Sequence, residues 1–401
     1  MSKTSTKSRT GCEQCKRRKV KCDEKRPTCS KCLLRSEPYT GNFSWDSWQV
    51  ERPWISNTRS LTPSSALEND ILQYWYDEAC LNMALFRPPL NPLSHSLSVW
   101  LRHSKALHHT LECVAVTHYV HFAPDQLAQA LYARGLAISS LKHETLIKTT
   151  ILSSLILAVS AGWVDPSGTD FGMDYLAGSF SLMKSLVDLL PTDHFTFYIL
   201  GLFLYWDAFS SSLSPSGVPA YPVDKISDMV THPPFTSLVH PITGITTTLC
   251  PLIGEAGRYL RWVVDTRTLS TSVSLDLESR LRQWQPSDTS SSQPQILQLA
   301  EGYRNSGLIM LYQAASVVRS LSNEEEADLL SRVLNIVNVL KHISDKDPML
   351  NWAGPLLVIS GSELPLTHSE ERLVVERTAL RLASWTRVQV YRRGFELVQH
   401  V

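Results

Sequence analysis

The sequence predicts a mainly α protein with a small N-terminal cysteine-rich module, a linker and a large all-helical domain. Three observations carry this expectation. From residue 65 onward apolar residues recur at helical spacing, and few segments alternate with period two. Five of the eight cysteines fall between Cys12 and Cys32. Between these regions lies a stretch rich in Asn, Ser and Thr, with Pro53 and Pro63. A chain of 401 residues suits two or three domains. With 43% hydrophobic and 19% charged residues, it can bury a core, which excludes wholesale disorder and a disulfide-packed scaffold.

Residues 1–10 form a polar, basic arm rich in Ser and Thr, read as disordered. Residues 11–40 hold the cysteines, and residues 41–64 read as the linker, where Trp45, Trp48 and Trp54 offer surface for docking onto a neighbour. Ser65-Ala-Leu-Glu68 is a capping-box pattern, in which the Ser side chain accepts an amide that the first turn leaves unpaired and Glu68 reaches back. Apolar positions from Leu67 to Phe86 continue that helix until Arg87-Pro-Pro-Leu-Asn-Pro92 stops it. Further helices are expected at about 97–121, 124–142, 145–163, 171–190 and 194–210. Residues 211–254, rich in Ser, Pro and Gly, read as surface loop. Helical spacing returns at about 255–284, 294–321, 323–343 and 369–399. Glu324-Glu-Glu326 reads as the acidic first turn of a helix following Asn323. There is no internal repeat.

The runs Ile151–Trp163 and Phe195–Phe209 are the most apolar. Both fall short of the roughly 18 residues that a membrane span needs, and Ser153, Ser154 and Asp207 interrupt them, so they read as buried helices. The first residues lack the apolar segment of a secretory signal. No membrane partner is expected.

The net charge is zero, from 38 basic and 38 acidic residues, but it is unevenly distributed. Residues 1–35 carry twelve Lys/Arg and three Asp/Glu; the remainder carries 26 and 35. The basic part coincides with the cysteines, spaced Cys12-x2-Cys15-x6-Cys22-x6-Cys29-x2-Cys32. In an unsecreted chain, clustered cysteines read as metal ligands, and soft thiolates in a tetrahedron suit zinc. Val20, Leu33, Leu34 and Tyr39 are nearly all the large apolar residues of 11–40, too few for a core. Metal binding, on the order of 10–16 kcal/mol in finger-sized peptides, can supply the folding free energy instead.

Four stretches, Arg9-Thr-Gly-Cys12, Cys15-Lys-Arg-Arg-Lys-Val-Lys-Cys22, Asp23-Glu-Lys-Arg-Pro27-Thr-Cys29 and Ser30-Lys-Cys32-Leu, closely resemble the fungal Zn₂Cys₆ binuclear-cluster transcription factors. The resemblance implies a zinc-dependent, nuclear regulator of RNA polymerase II genes that binds double-stranded DNA at CGG-like triplets. It implies two zincs, one held by Cys12, Cys15, Cys22 and Cys29 and the other by Cys12, Cys29 and Cys32. It places Arg18 and Lys19 at base-reading positions, where such side chains pair with guanine. Lys16, Arg17, Lys21, Lys25, Arg26 and Lys31 would then face phosphates. The run Lys16–Lys21 is expected to form a short helix, and the same run serves as a nuclear localisation signal. Tyr74-Trp-Tyr76 and Asn91-Pro92 make residues 65–401 resemble the fungal-specific transcription factor domain. That resemblance implies a regulatory body with a small-molecule effector or a coregulator.

The sixth cysteine of that family is missing, and Tyr39 stands at its place. Two tetrahedra need eight donor positions; five thiolates with two bridging fill seven. The second zinc is therefore expected to bind weakly, its open position filled by water, Glu37 or Tyr39. An alternative is a related factor whose impaired cluster leaves it acting mainly through its helical domain. A third reading, an enzyme in that domain, finds no Walker A loop, GxGxxG, HExxH or GxSxG in support. His103, His108, His109, His118 and His121 lie close together in sequence, but no carboxylate or Cys is seen to complete a metal set. Cys80, Cys113 and Cys250 read as inert buried thiols. No heptad is present in 41–64, so a homodimer would have to form through the helical body.

Overall fold

The computed structural model describes Cys15, residues 17–20, residue 396 and residues 65–386, the last with breaks at 88–90, 95–96, 121–125, 165–169, 171, 189–193, 215–222, 234, 237, 287–293 and 345–346. The chain separates into two compact units, Met1–Ser60 with Gly217–Pro219, and Leu61–Ser216 with Ala220–Val401. Among the described residues the second unit is helical, with one isolated antiparallel bridge between His240 and Gly244.

The first half of this body runs α1 (Ser65–Asp77), α2 (Ser98–Leu101), α3 (Lys105–Tyr119), α4 (Leu127–Leu141), α5 (Ile147–Val159), α6 (Ala161–Val164), α7 (Met173–Asp188) and α8 (His194–Ser210). The helix expected to reach Phe86 instead ends at Asp77 and tightens into a 3₁₀ turn, Ala79–Met83. The buried Asn91 explains the change. Its amide donates to the Cys80 carbonyl at 2.9 Å, and its Oδ1 accepts from the Leu93 amide at 2.9 Å. The next segment is extended at Ala84, and the Leu85 amide pairs with the Pro241 carbonyl at 2.7 Å. Asn91-Pro92, singled out in the sequence, is thus a structural clamp. The helix expected over 97–121 is broken at Ser104, which is extended and caps α3 by accepting from the Leu107 amide.

The second half runs α9 (Val223–Val230), α10 (Cys250–Thr266), α11 (Thr271–Gln283), α12 (Pro294–Val318), α13 (Asn323–His342), α14 (Ala353–Glu363) and α15 (Ser369–Thr386). Residues 211–254, expected as loop, contain α9 and the start of α10, whose Pro251 sits in the first turn where its missing N–H costs nothing. The single helix expected over 255–284 is two, because Arg267 turns left-handed (φ 55°) and its amide closes on the Val263 carbonyl. Helix α14 was not expected. Its buried residues include Ala353, Leu356, Leu357 and Ser360, and it is apolar on too many sides to show a helical stripe.

One continuous core joins Trp75 of α1, Leu107 of α3, Leu155 of α5, Phe203 of α8, Ile253 of α10, Tyr303 of α12 and Leu356 of α14. Burying each aliphatic side chain here stabilises by about 2 kcal/mol. The apolar run Phe195–Phe209 lies within α8, while Ile151–Trp163 is divided at Ser160 between α5 and α6; both are largely buried, as expected. No helix among the described residues is long and apolar enough to cross a membrane. Asp207, the charge that interrupts α8, receives two hydrogen bonds from Arg258 Nη1 of α10, at 3.0 and 2.9 Å. Asp328 of α13 gathers Arg332, Arg282 of α11 and Tyr312 of α12.

The loop before α10 is held by His240, which is fully buried. Its Nε2–H donates to the Phe197 carbonyl at 3.0 Å, and its Nδ1 accepts from the amides of Ile242 and Thr243. The ring rests on Gly201, where an added Cβ would sit 2.1 Å from the imidazole carbon Cε1. Only a glycine on α8 lets the loop approach this closely.

Candidate functional site

In the first unit, Cys15 and Arg17 are helical, residues 18 and 19 turn, and the Val20 amide donates to the Cys15 carbonyl at 3.0 Å. Lys19 is left-handed, with φ 56°. A left-handed residue followed by an amide that reaches back five positions is the Schellman closure of a helix. The expected helix over Lys16–Lys21 therefore stops short of Lys19.

The turn sorts the side chains. Cys15 is fully buried, while Arg17 and Lys19 are exposed and Arg18 is partly so. A buried thiol inside a strongly basic run, in a segment too poor in apolar residues for a core, fits a metal-held ligand. The other four cysteines, Cys12, Cys22, Cys29 and Cys32, lie outside the described residues, as do Lys16, Lys21, Lys25, Arg26 and Tyr39. The residue types of this set suit zinc: soft donors at two CxxC spacings.

The second unit carries an open cavity of about 710 Å³ between the α1–3₁₀ junction and α15. Glu78, Arg87 and Arg381 supply charge to its wall, and Phe86, Leu380 and Trp385 supply apolar surface. The Arg87 guanidinium stands 6.0 Å from the Trp385 ring centre. His118 lies at its edge, 3% exposed. Its Nε2 contacts the Thr386 carbonyl at 2.7 Å, so that nitrogen carries the proton and Nδ1 accepts from Tyr74 Oη at 2.8 Å. Asn82 completes the wall, with its Nδ2 3.0 Å from Nε2.

The five neighbouring histidines thus separate. His118 is a packed structural residue, His103 is exposed and His121 lies outside the described residues. His108 and His109 meet at Glu112, which corrects the expectation that no carboxylate completes a set. Burial works to raise the Glu112 pKa, but hydrogen bonds from His108 and His109 and their charge hold it down at about 2. Only the i,i+3 and i,i+4 spacing could have revealed this group in the sequence. Cys80, Cys113 and Cys250 are buried as expected, and burial pushes the thiols of Cys80 and Cys250 up to about 12. Such thiols are poor nucleophiles.

A basic turn that carries a buried cysteine, followed along the chain by a large helical body, is the arrangement of DNA-binding transcription regulators. Residues 10–38 match the family model of the fungal Zn(2)-Cys(6) binuclear cluster domain. Residues 70–401 match that of the fungal specific transcription factor domain, and the chain belongs to this fungal transcription factor family. No curated protein and no solved structure matches the chain.

Proposed function

We propose that this protein is a nuclear, zinc-dependent regulator of RNA polymerase II genes that reads CGG-like triplets through residues 11–40. Residues 41–64 link that module to a regulatory body formed by residues 65–401, and no catalysis is assigned to the body. Cys12, Cys15, Cys22, Cys29 and Cys32 would hold zinc, which supplies the folding free energy that the segment lacks. The observation that carries this reading is the buried Cys15 one turn ahead of the exposed, left-handed Lys19. A ligand and a base-reading candidate share one rigid turn, so metal binding orients the DNA-facing charge. Arg18 and Lys19 take the bases, and Lys16, Arg17, Lys21, Lys25 and Arg26 the phosphates. With Tyr39 in place of a sixth thiolate, one zinc binds tightly and a second weakly.

The test is an electrophoretic shift with a CGG-containing and a scrambled probe, on wild type and Tyr39→Cys. Selective binding by wild type, lost on chelation, is expected. Strong binding by Tyr39→Cys alone would instead favour a factor that acts mainly through its body. The cavity supports that second reading, since charged and apolar walls together suit a small amphipathic effector. A homodimer through the body is compatible with both readings.

A further inference from the structure

Helix α3 carries a cluster that neither the DNA-binding module nor the cavity uses. His108, His109 and Glu112 each offer one donor atom, and the three atoms lie within 4.8 Å of one another. His109 Nδ1 stands 2.9 Å from Glu112 Oε2, and His108 Nδ1 stands 3.3 Å from the same oxygen. Metal bonds of about 2.0–2.1 Å at a tetrahedral angle separate neighbouring donors by roughly 3.3 Å. The two histidine–carboxylate distances are therefore close to those that a bound ion would set.

The platform is rigid. Ser104 caps α3, and the helix packs against α1, α4 and α5 through buried Leu107, Leu111 and Val114. The ligand side faces the other way. The histidine side chains are 33% and 31% exposed and that of Glu112 is 15% exposed, so an ion can enter while the carboxylate stays largely shielded. Two helical ligands four positions apart share one face, which is how helices present metal-binding pairs.

We propose that His108, His109 and Glu112 bind a divalent transition-metal ion, zinc by preference, at a site separate from the cysteine cluster. Two imidazoles and one carboxylate with no thiolate suit zinc, copper or nickel and disfavour calcium and magnesium. Water completes the coordination on the solvent side.

The full chain, stripped of metal, is titrated with cobalt(II). Cobalt on thiolates absorbs intensely through sulfur-to-metal charge transfer, whereas cobalt on nitrogen and oxygen adds only weak ligand-field bands. Wild type is expected to take up one more cobalt per chain than the His108→Gln/His109→Gln double variant, with equal sulfur absorption in both. Glu112→Gln, nearly the same shape, is expected to weaken that extra ion by on the order of tenfold or more. Zinc should displace it competitively. Equal cobalt uptake by wild type and the double variant overturns the proposal, as does an extra ion that Glu112→Gln holds as tightly as wild type. Unchanged circular dichroism in Glu112→Gln keeps the comparison free of misfolding.

Discussion

His240 joins two segments that the sequence keeps far apart, and it does so as a neutral ring. Burial lowers its pKa from 6.5 to about 4, against the opposing effect of its bond to the Phe197 carbonyl. The unfolded chain therefore takes up a proton that the folded chain refuses. The stabilisation is fully present above pH 6.5 and is lost as the pH falls towards about 4, by about 3 kcal/mol in total. Urea unfolding across that window should show a stability slope that His240→Asn flattens. Asn keeps an acceptor for the amides of Ile242 and Thr243 but does not titrate. A slope unchanged in the variant would assign the acid sensitivity to other groups. Nothing in the sequence marked His240 or Gly201, because their meeting depends on a loop returning to α8.

At the level of elements, the acidic turn after residue 322 shows what local sequence can reveal. Glu324–Glu326 read as a helix start, and α13 begins at Asn323. Its cap is Ser322, one residue earlier than the sequence reading began. Ser322 Oγ accepts from the Glu325 amide at 3.2 Å, and Glu325 Oε2 accepts from the Ser322 amide at 2.8 Å. Ser322→Ala should cost about 1 kcal/mol in denaturant unfolding, with no change in DNA binding. Amphipathic helices such as α13 were legible because one stripe is apolar. Helix ends were less so, since Arg267 and Ser104 interrupt long periodic stretches through backbone conformation alone. Helix α14 was invisible because apolar Val358 and Ile359 lie on its outer side while Ser360 and Gly361 are buried, which blurs the stripe, and α9 was hidden within a Pro- and Ser-rich stretch.

For the whole molecule, the zero net charge divides into a basic cysteine module and an acidic helical body. The acidic excess would repel a duplex and leave contact to the N-terminal residues. Deleting residues 1–60 should abolish DNA binding while leaving the thermal unfolding of the body unchanged, as read by circular dichroism. Loss of helical structure in that fragment would contradict the division into separate units. The module's identity was readable from spacing, since metal ligation fixes the residue type. The histidine pair that meets Glu112 was not, because three ordinary surface residues gain meaning only once a helix aligns them. The left-handed turn at Lys19 decides which substitution separates charge from backbone in the basic run. Lysine and alanine both carry a Cβ, so Lys19→Ala keeps the strain of the left-handed backbone and removes only the side chain beyond it. Glycine there would relieve that strain while it removes the charge, and a scan with it would mix the two effects. Alanine or glutamine, which meet the turn as lysine does, isolate what the ammonium group contributes.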